Sequence, residues 1–193
     1  MRKNVKQQLA LRVLSTAALM AMVSSIATGA FAAEYNVTKG SVEIEAKNGS
    51  QCITQRDDTG AFVKDEKGDI DHRPDDDIIL TTKNKDTGVT EITSNTVTIT
   101  AEEKDDTANV TLQDVHMEVN TSKAKSGAIE IKGNGDTKLE LNGDNTVLTT
   151  NSTAEEHAAI EKANKYGTGT LTIKDDLNDD CKPKTGKIGR AHV

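Results

Sequence analysis

From about Thr93 onward the sequence is built of very short alternating apolar runs, each closed by Asn, Asp or Gly, and no other feature limits the fold as much. Thr96-Val97-Thr98-Ile99-Thr100 alternates cleanly, as do Val110-Thr111-Leu112 and Val115-His116-Met117-Glu118-Val119. Ile129-Glu130-Ile131, Leu139-Glu140-Leu141 and Leu171-Thr172-Ile173 follow. Alternation with period two and β-branched residues predicts strands with one buried face. Between them, Gly133-Asn134-Gly135-Asp136 and Asn142-Gly143-Asp144-Asn145 are turn sequences, rich in residues that tolerate positive φ.

Strands this short cannot bury a face alone, and the spacing between them suggests how they do it. Val110 to Leu139 is 29 residues, Ile129 to Ile160 is 31, and Leu139 to Leu171 is 32. Gly127-Ala128-Ile129-Glu130 is echoed by Ala158-Ala159-Ile160-Glu161. A repeat of this length predicts coils stacked side by side, each pairing its strands with those of the next. The expected fold is therefore all-β, a parallel β-helix (β-solenoid) of short strands over residues 93–187. An immunoglobulin-like sandwich also uses many short strands, but it suits such brief runs and long repeats less well. Thr153-Ala154-Glu155-Glu156 resembles a helix capping box. The repeat nevertheless places a strand near Ile160, so a loop and a short strand are expected there.

Residues 34–92 are less regular and read as a cap with the first coils. Val42-Glu43-Ile44-Glu45 and Asp77-Ile78-Ile79-Leu80-Thr81 are strand-like, and the stretch 56–77 between them reads as a polar insertion. After the first 33 residues the aromatic side chains are Tyr35, Phe62 and Tyr166, so the core must be assembled from Val, Ile and Leu.

Residues 1–33 read as a signal helix for export. Arg2, Lys3 and Lys6 make a basic start, an apolar stretch broken by Arg12 runs from Leu9 to Ile26, and Ala30-Phe31-Ala32 is an A-x-A site. Cleavage between Ala32 and Ala33, or one residue on, is expected, with no membrane association afterwards. Four of the 24 basic residues fall in this segment and none of the 31 acidic ones, leaving 20 basic against 31 acidic and a net charge of −11. Such acidity argues against a nucleic-acid partner, which requires a basic surface.

With the repeats in hand, Asn95 to Asp176 resembles the secreted clostridial-type β-helix proteins described as carbohydrate-binding domain-containing. The Val97-Thr98-Ile99 strand, the Asn109-Val110-Thr111-Leu112-Gln113-Asp114-Val115 element, and the series from Ala159-Ile160-Glu161-Lys162 to Gly167-Thr168-Gly169-Thr170-Leu171-Thr172-Ile173 carry the likeness. It covers under half of the chain. The resemblance implies a right-handed parallel β-helix outside the cell, with polysaccharide as its partner. Members of that group continue with glycine-rich coils. Here Ile188-Gly189-Arg190-Ala191-His192-Val193 is instead what ATC GGA AGA GCA CAC GTC encodes, a string matching a sequencing adapter. Residues 188–193 are therefore expected to be foreign to the gene and the chain to be an N-terminal fragment.

Chemistry is sparse. Asp75, Asp76 and Asp77 form one acidic cluster, and Asp175, Asp176, Asp179 and Asp180 a second. Grouped carboxylates on loops are candidate calcium ligands, though neither cluster has EF-hand or nonapeptide-repeat spacing, and solvated loop charge is the favoured reading. His72, His116, His157 and His192 are isolated and Cys52 and Cys181 far apart, which leaves no zinc motif. The two cysteines either bridge or remain thiols. A pectin-active enzyme needs acid and base carboxylates on adjacent coils, and Asp175-Asp176 has no evident companion, so no enzymatic activity is expected. Sugar sites commonly stack a ring on an aromatic side chain, and Tyr166 is the candidate. The expected function is non-catalytic polysaccharide binding at the cell surface. The alternative is a stalk or adhesin displaying another domain. Glycan identity and oligomeric state are left open.

When the full chain is expressed with its own leader, intact-mass analysis of the exported product should give a start at Ala33 or Glu34. Sequencing of the source locus should show a frame that departs from the adapter-like codons after Lys187.

Overall fold

The computed structural model describes residues 33–150, 157–162 and 168–175. The N-terminal part contains β1 (Glu34–Asn36), a 3-10 turn (Val37–Lys39), β2 (Ser41–Lys47) and β3 (Ser50–Arg56). Three two-residue strands follow, β4 (Lys64–Asp65), β5 (Gly68–Asp69) and β6 (Arg73–Pro74), then β7 (Ile78–Thr81) and β8 (Ile92–Thr93). The next coil is β9 (Val97–Ala101), β10 (Thr107–Gln113) and β11 (His116–Asn120). After the helical turn α1 (Thr121–Ala124) come β12 (Ile129–Gly133), β13 (Asp136–Asn142) and β14 (Thr146–Thr150), and then β15 (Ile160–Lys162) and β16 (Leu171–Asp175).

These strands stack into three faces. One is the all-parallel sheet β1-β7-β10-β13-β16, the second is β8-β11-β14, and the third is β6-β3-β2-β9-β12-β15, with β4 and β5 forming a separate hairpin. In the third face β15, β12, β9 and β2 run parallel, and β3 and β6 return antiparallel. This is a solenoid-like all-β architecture. An immunoglobulin-like sandwich is antiparallel throughout, so the pairing decides between the two architectures.

Alternation puts every second side chain inward, and the parallel register then stacks like on like. Val42, Val97 and Ile129 form one column and Ile44, Ile99 and Ile131 another, each residue at most 1% exposed. Ile78, Val110 and Leu139 form a third, with Leu80, Leu112 and Leu141 beside it. Each such side chain contributes about 1.5–3 kcal/mol of burial. Val110 lies opposite Leu139 and Ile129 opposite Ile160, at the spacings the repeat predicts. Leu139, however, faces Ile173, and Leu171 faces Thr137. The shift is two residues, which preserves the inward face; repeat length counts loop residues as well as strand residues and does not fix register.

The insertion at 56–77 is less polar in role than in composition. Val63 and Ile70 are buried, and the Ile70 and Val63 carbonyls each accept an amide, from Gln55 at 3.0 Å and from Ile70 at 2.8 Å respectively. Arg73 pairs with the Asp65 carboxylate and donates to the Gly68 and Asp69 carbonyls at 3.0 and 2.9 Å. Phe62 lies under the Arg56 guanidinium, 3.9 Å from ring centroid to carbon. Where β7 begins, the buried Gln51 side chain substitutes for a strand: its Nε2 donates to the Asn109 carbonyl and its Oε1 accepts the Asn109 amide, both at 3.0 Å.

Gln51→Ala should therefore cost about 1–3 kcal/mol in denaturant unfolding, since it leaves two backbone groups of β10 unmet. Gly133→Ala should cost at least as much, because Gly133 has φ +88° and a Cβ there would run into the Ala101 carbonyl.

Candidate functional site

The same alternation that turns Ile78, Val110 and Leu139 inward presents a polar outer face on the sheet β1-β7-β10-β13-β16. Register aligns Glu34, Ile79, Thr111, Glu140 and Lys174 in one outward row, and Asn109, Lys138 and Thr172 in the row beside it. Adjacent strands are about 4.8 Å apart. A hollow of about 370 Å³ lies over these rows, with Asp76 and Asp77 at one end and Lys174 at the other. Among the described residues, the side chains of Asp77, Asn109, Lys138, Glu140 and Lys174 make no hydrogen bond or ion pair. Their donors and acceptors face solvent unspent.

Two members of the acidic cluster beside the hollow, Asp75 and Asp76, are spent differently. Asp75 accepts the Tyr35 hydroxyl at 2.8 Å on one oxygen and the Asp77 amide at 3.0 Å on the other. Asp76 accepts the Gln51 amide at 3.3 Å. Burial, reinforced by Asp75, pushes the Tyr35 phenol well above the ordinary tyrosine range. Calcium wants six to eight oxygens converging on one point, and among the described residues no group of three or more His, Cys, Asp or Glu is placed to hold a metal. Asp75 and Asp76 have oxygens engaged in protein hydrogen bonds, whereas the Asp77 carboxylate has none among the described residues. Of the second cluster, Asp175 lies at an inward register position against Leu141; Asp176, Asp179 and Asp180 lie outside the described residues, as do Tyr166, Ala32 and Cys181. Ala33 precedes β1 and accepts the Ile79 amide at 3.2 Å. Cys52 carries a free, partly buried thiol, which burial and then the charge of Glu45 push upward in pKa.

Register also brings together carboxylates whose proximity spacing does not reveal. Glu130 and Glu161 are direct partners on neighbouring coils. Lys132 pairs with Glu130 at 2.9 Å and His157 with Glu161 at 2.7 Å. The echoed Ala-Ile-Glu triplet was the signal for this pair. Each carboxylate is thus engaged within its own coil, Glu130 by Lys132 on β12 and Glu161 by the His157 ring four residues before it, and the two meet across coils only as register partners. Asn109, Lys138 and Glu140 gave no comparable signal, because polar letters between apolar ones read as solvated filler.

A second hollow, also about 370 Å³, lies beside the first, around Asn36, Lys39, Asn84 and Lys85. Among the described residues no helix is long and apolar enough to cross a membrane. Comparisons with family models, with curated proteins and with solved structures find no match to this chain.

Several carboxylates that fasten loops are held below the ordinary range. The Arg73 guanidinium does this for Asp65, and the amide and hydroxyl of Thr170 for Asp136. For Asp114, burial alone would raise the pKa, but the Asp144 amide and the Lys83 ammonium bring it down overall. A group depressed in the folded state stabilises above its unfolded pKa and loses that contribution as pH falls through its folded value. The melting temperature should therefore stay level from neutral pH to about pH 5 and drop below about pH 4, where free carboxylates protonate. Asp65→Asn should make that drop shallower.

Proposed function

We propose that this chain is an exported, non-catalytic β-solenoid, a right-handed parallel β-helix displayed at the cell surface, and that it binds polysaccharide on the outer face of β1-β7-β10-β13-β16. The observation that carries the reading is the two adjacent rows of unspent polar side chains over the first hollow: Asn109 and Lys138 in one, Glu140 and Lys174 in the other. Sugar hydroxyls both donate and accept, so a surface offering ammonium donors beside carboxylate and amide acceptors meets both needs. Ile79, half-buried in the same hollow, offers apolar surface to a ring face. Among the described residues Tyr35 is turned into the core and Phe62 is covered by Arg56, so the binding face is polar rather than aromatic. The resemblance of Asn95 to Asp176 to secreted carbohydrate-binding β-helix proteins supports the same reading.

A glycan array probed with the mature full chain tests the proposal. Wild type should bind, and the double variant Lys138→Ala/Glu140→Ala should bind roughly tenfold or more weakly, since each removed group makes a charge-assisted hydrogen bond. Both side chains are exposed, so the melting temperature should not move. Absence of any glycan signal from wild type would return the stalk or adhesin reading.

A further inference from the structure

We infer that the ligand is an uncharged polyhydroxyl chain, laid across the coils through both hollows. The inference rests on the polysaccharide reading and names its substrate class. The two hollows meet at β1 and β7, where Glu34 of the second is the register partner of Ile79 in the first. In the first hollow the charged side chains that make no hydrogen bond or ion pair among the described residues are Lys138, Lys174, Asp77 and Glu140; in the second they are Lys39, Lys85, Glu34 and Asp86. Of the remaining charges Lys83 is paired with Asp114 at 3.0 Å, and Asp76 accepts the Gln51 amide but keeps its negative charge. Across both linings the ammoniums of Lys39, Lys83, Lys85, Lys138 and Lys174 are matched in number by the carboxylates of Glu34, Asp76, Asp77, Asp86 and Glu140.

That balance discriminates between ligand classes. Outside the leader the chain carries −11, so a polyanion is repelled at long range and finds no net positive charge on arrival. A polycation is attracted to the whole surface and meets as many ammoniums as carboxylates on the track. An uncharged sugar chain loses nothing to either effect, and each free charge can make a charge-assisted hydrogen bond with a hydroxyl.

The walls of the second hollow are fixed before any ligand arrives. Asn36 donates to the Lys83 carbonyl at 3.0 Å. Asn84 accepts the amides of Asp86 and Thr87 at 3.0 and 3.2 Å and donates to Glu91 at 2.9 Å. Little ordering of the loop therefore opposes binding. Five strands at about 4.8 Å spacing give a track of about 19 Å, and that spacing is close to the length of one sugar unit in an extended β-linked chain.

Titration calorimetry of the mature full chain against soluble oligosaccharides tests this. Cello-, xylo- and manno-oligosaccharides represent the uncharged class, oligogalacturonides the anionic class and chitosan oligomers the cationic class. The expected result is binding of an uncharged series, with Kd changing less than about twofold between about 50 and 500 mM NaCl. In that series Lys85→Ala/Asp86→Ala should weaken a hexamer at least threefold and leave a dimer unchanged. Preference for a charged series, with strong salt dependence, would overturn the inference while leaving polysaccharide binding intact. A second-hollow variant that binds the hexamer like wild type would overturn the two-hollow track. Binding of no glycan would remove the reading beneath it.

Discussion

Everything in this structure depends on each coil completing the hydrogen bonding of the one before it. A strand of two to seven residues has neither the length nor the area to fold alone. Parallel, in-register pairing satisfies its backbone and sets its inward side chains on equivalent side chains of the next coil. The aliphatic columns follow from that pairing, and so does a core that needs almost no aromatic rings. Ile99 between Ile44 and Ile131 shows the unit of stability: one β-branched side chain clasped by two neighbours and sealed from water.

A stack of parallel strands has a first strand with an open edge, and such an edge invites association. Here the chain closes it with its own sequence. β3 turns back antiparallel along β2, β6 adds beyond it, and Gln51 meets the backbone of Asn109 with its side-chain amide. The insertion that looks like polar filler is thereby tied into the cap, with Arg73 gathering its turns and Asp75 receiving Tyr35. Of the conspicuous carboxylates next to this cap, Asp75 and Asp76 are structural acceptors. The side chains with unspent bonding capacity lie one row further along, on the sheet itself.

The register that builds the core also builds the outer face. Because inward columns are matched, outward residues 29 or more positions apart become neighbours, as Asn109 and Lys138 do, or Glu130 and Glu161. Where outward side chains of neighbouring coils pair off, as Lys83 does with Asp114, the result is a staple between coils. Where they do not, as in the two hollows, the result is a surface with capacity for a ligand.

The sequence by itself determined the local structure. Alternation at Val97-Thr98-Ile99 or Leu139-Glu140-Leu141 fixes a strand and its buried face, Gly133 and Gly143 fix turns that need positive φ, and the scarcity of rings fixes an aliphatic core. The 29-residue step from Val110 to Leu139 was legible too, since both its ends are buried apolar residues. What only the tertiary structure decided was register and partnership across long separations: Leu139 against Ile173, Tyr35 on Asp75, Gln51 on Asn109, and which charged side chains line the hollows. The physical reason is that alternation is a property of neighbouring residues, whereas register is settled by which distant faces exclude water together. A polar outward residue leaves no trace of its partner in the sequence, because its neighbour is supplied by another coil.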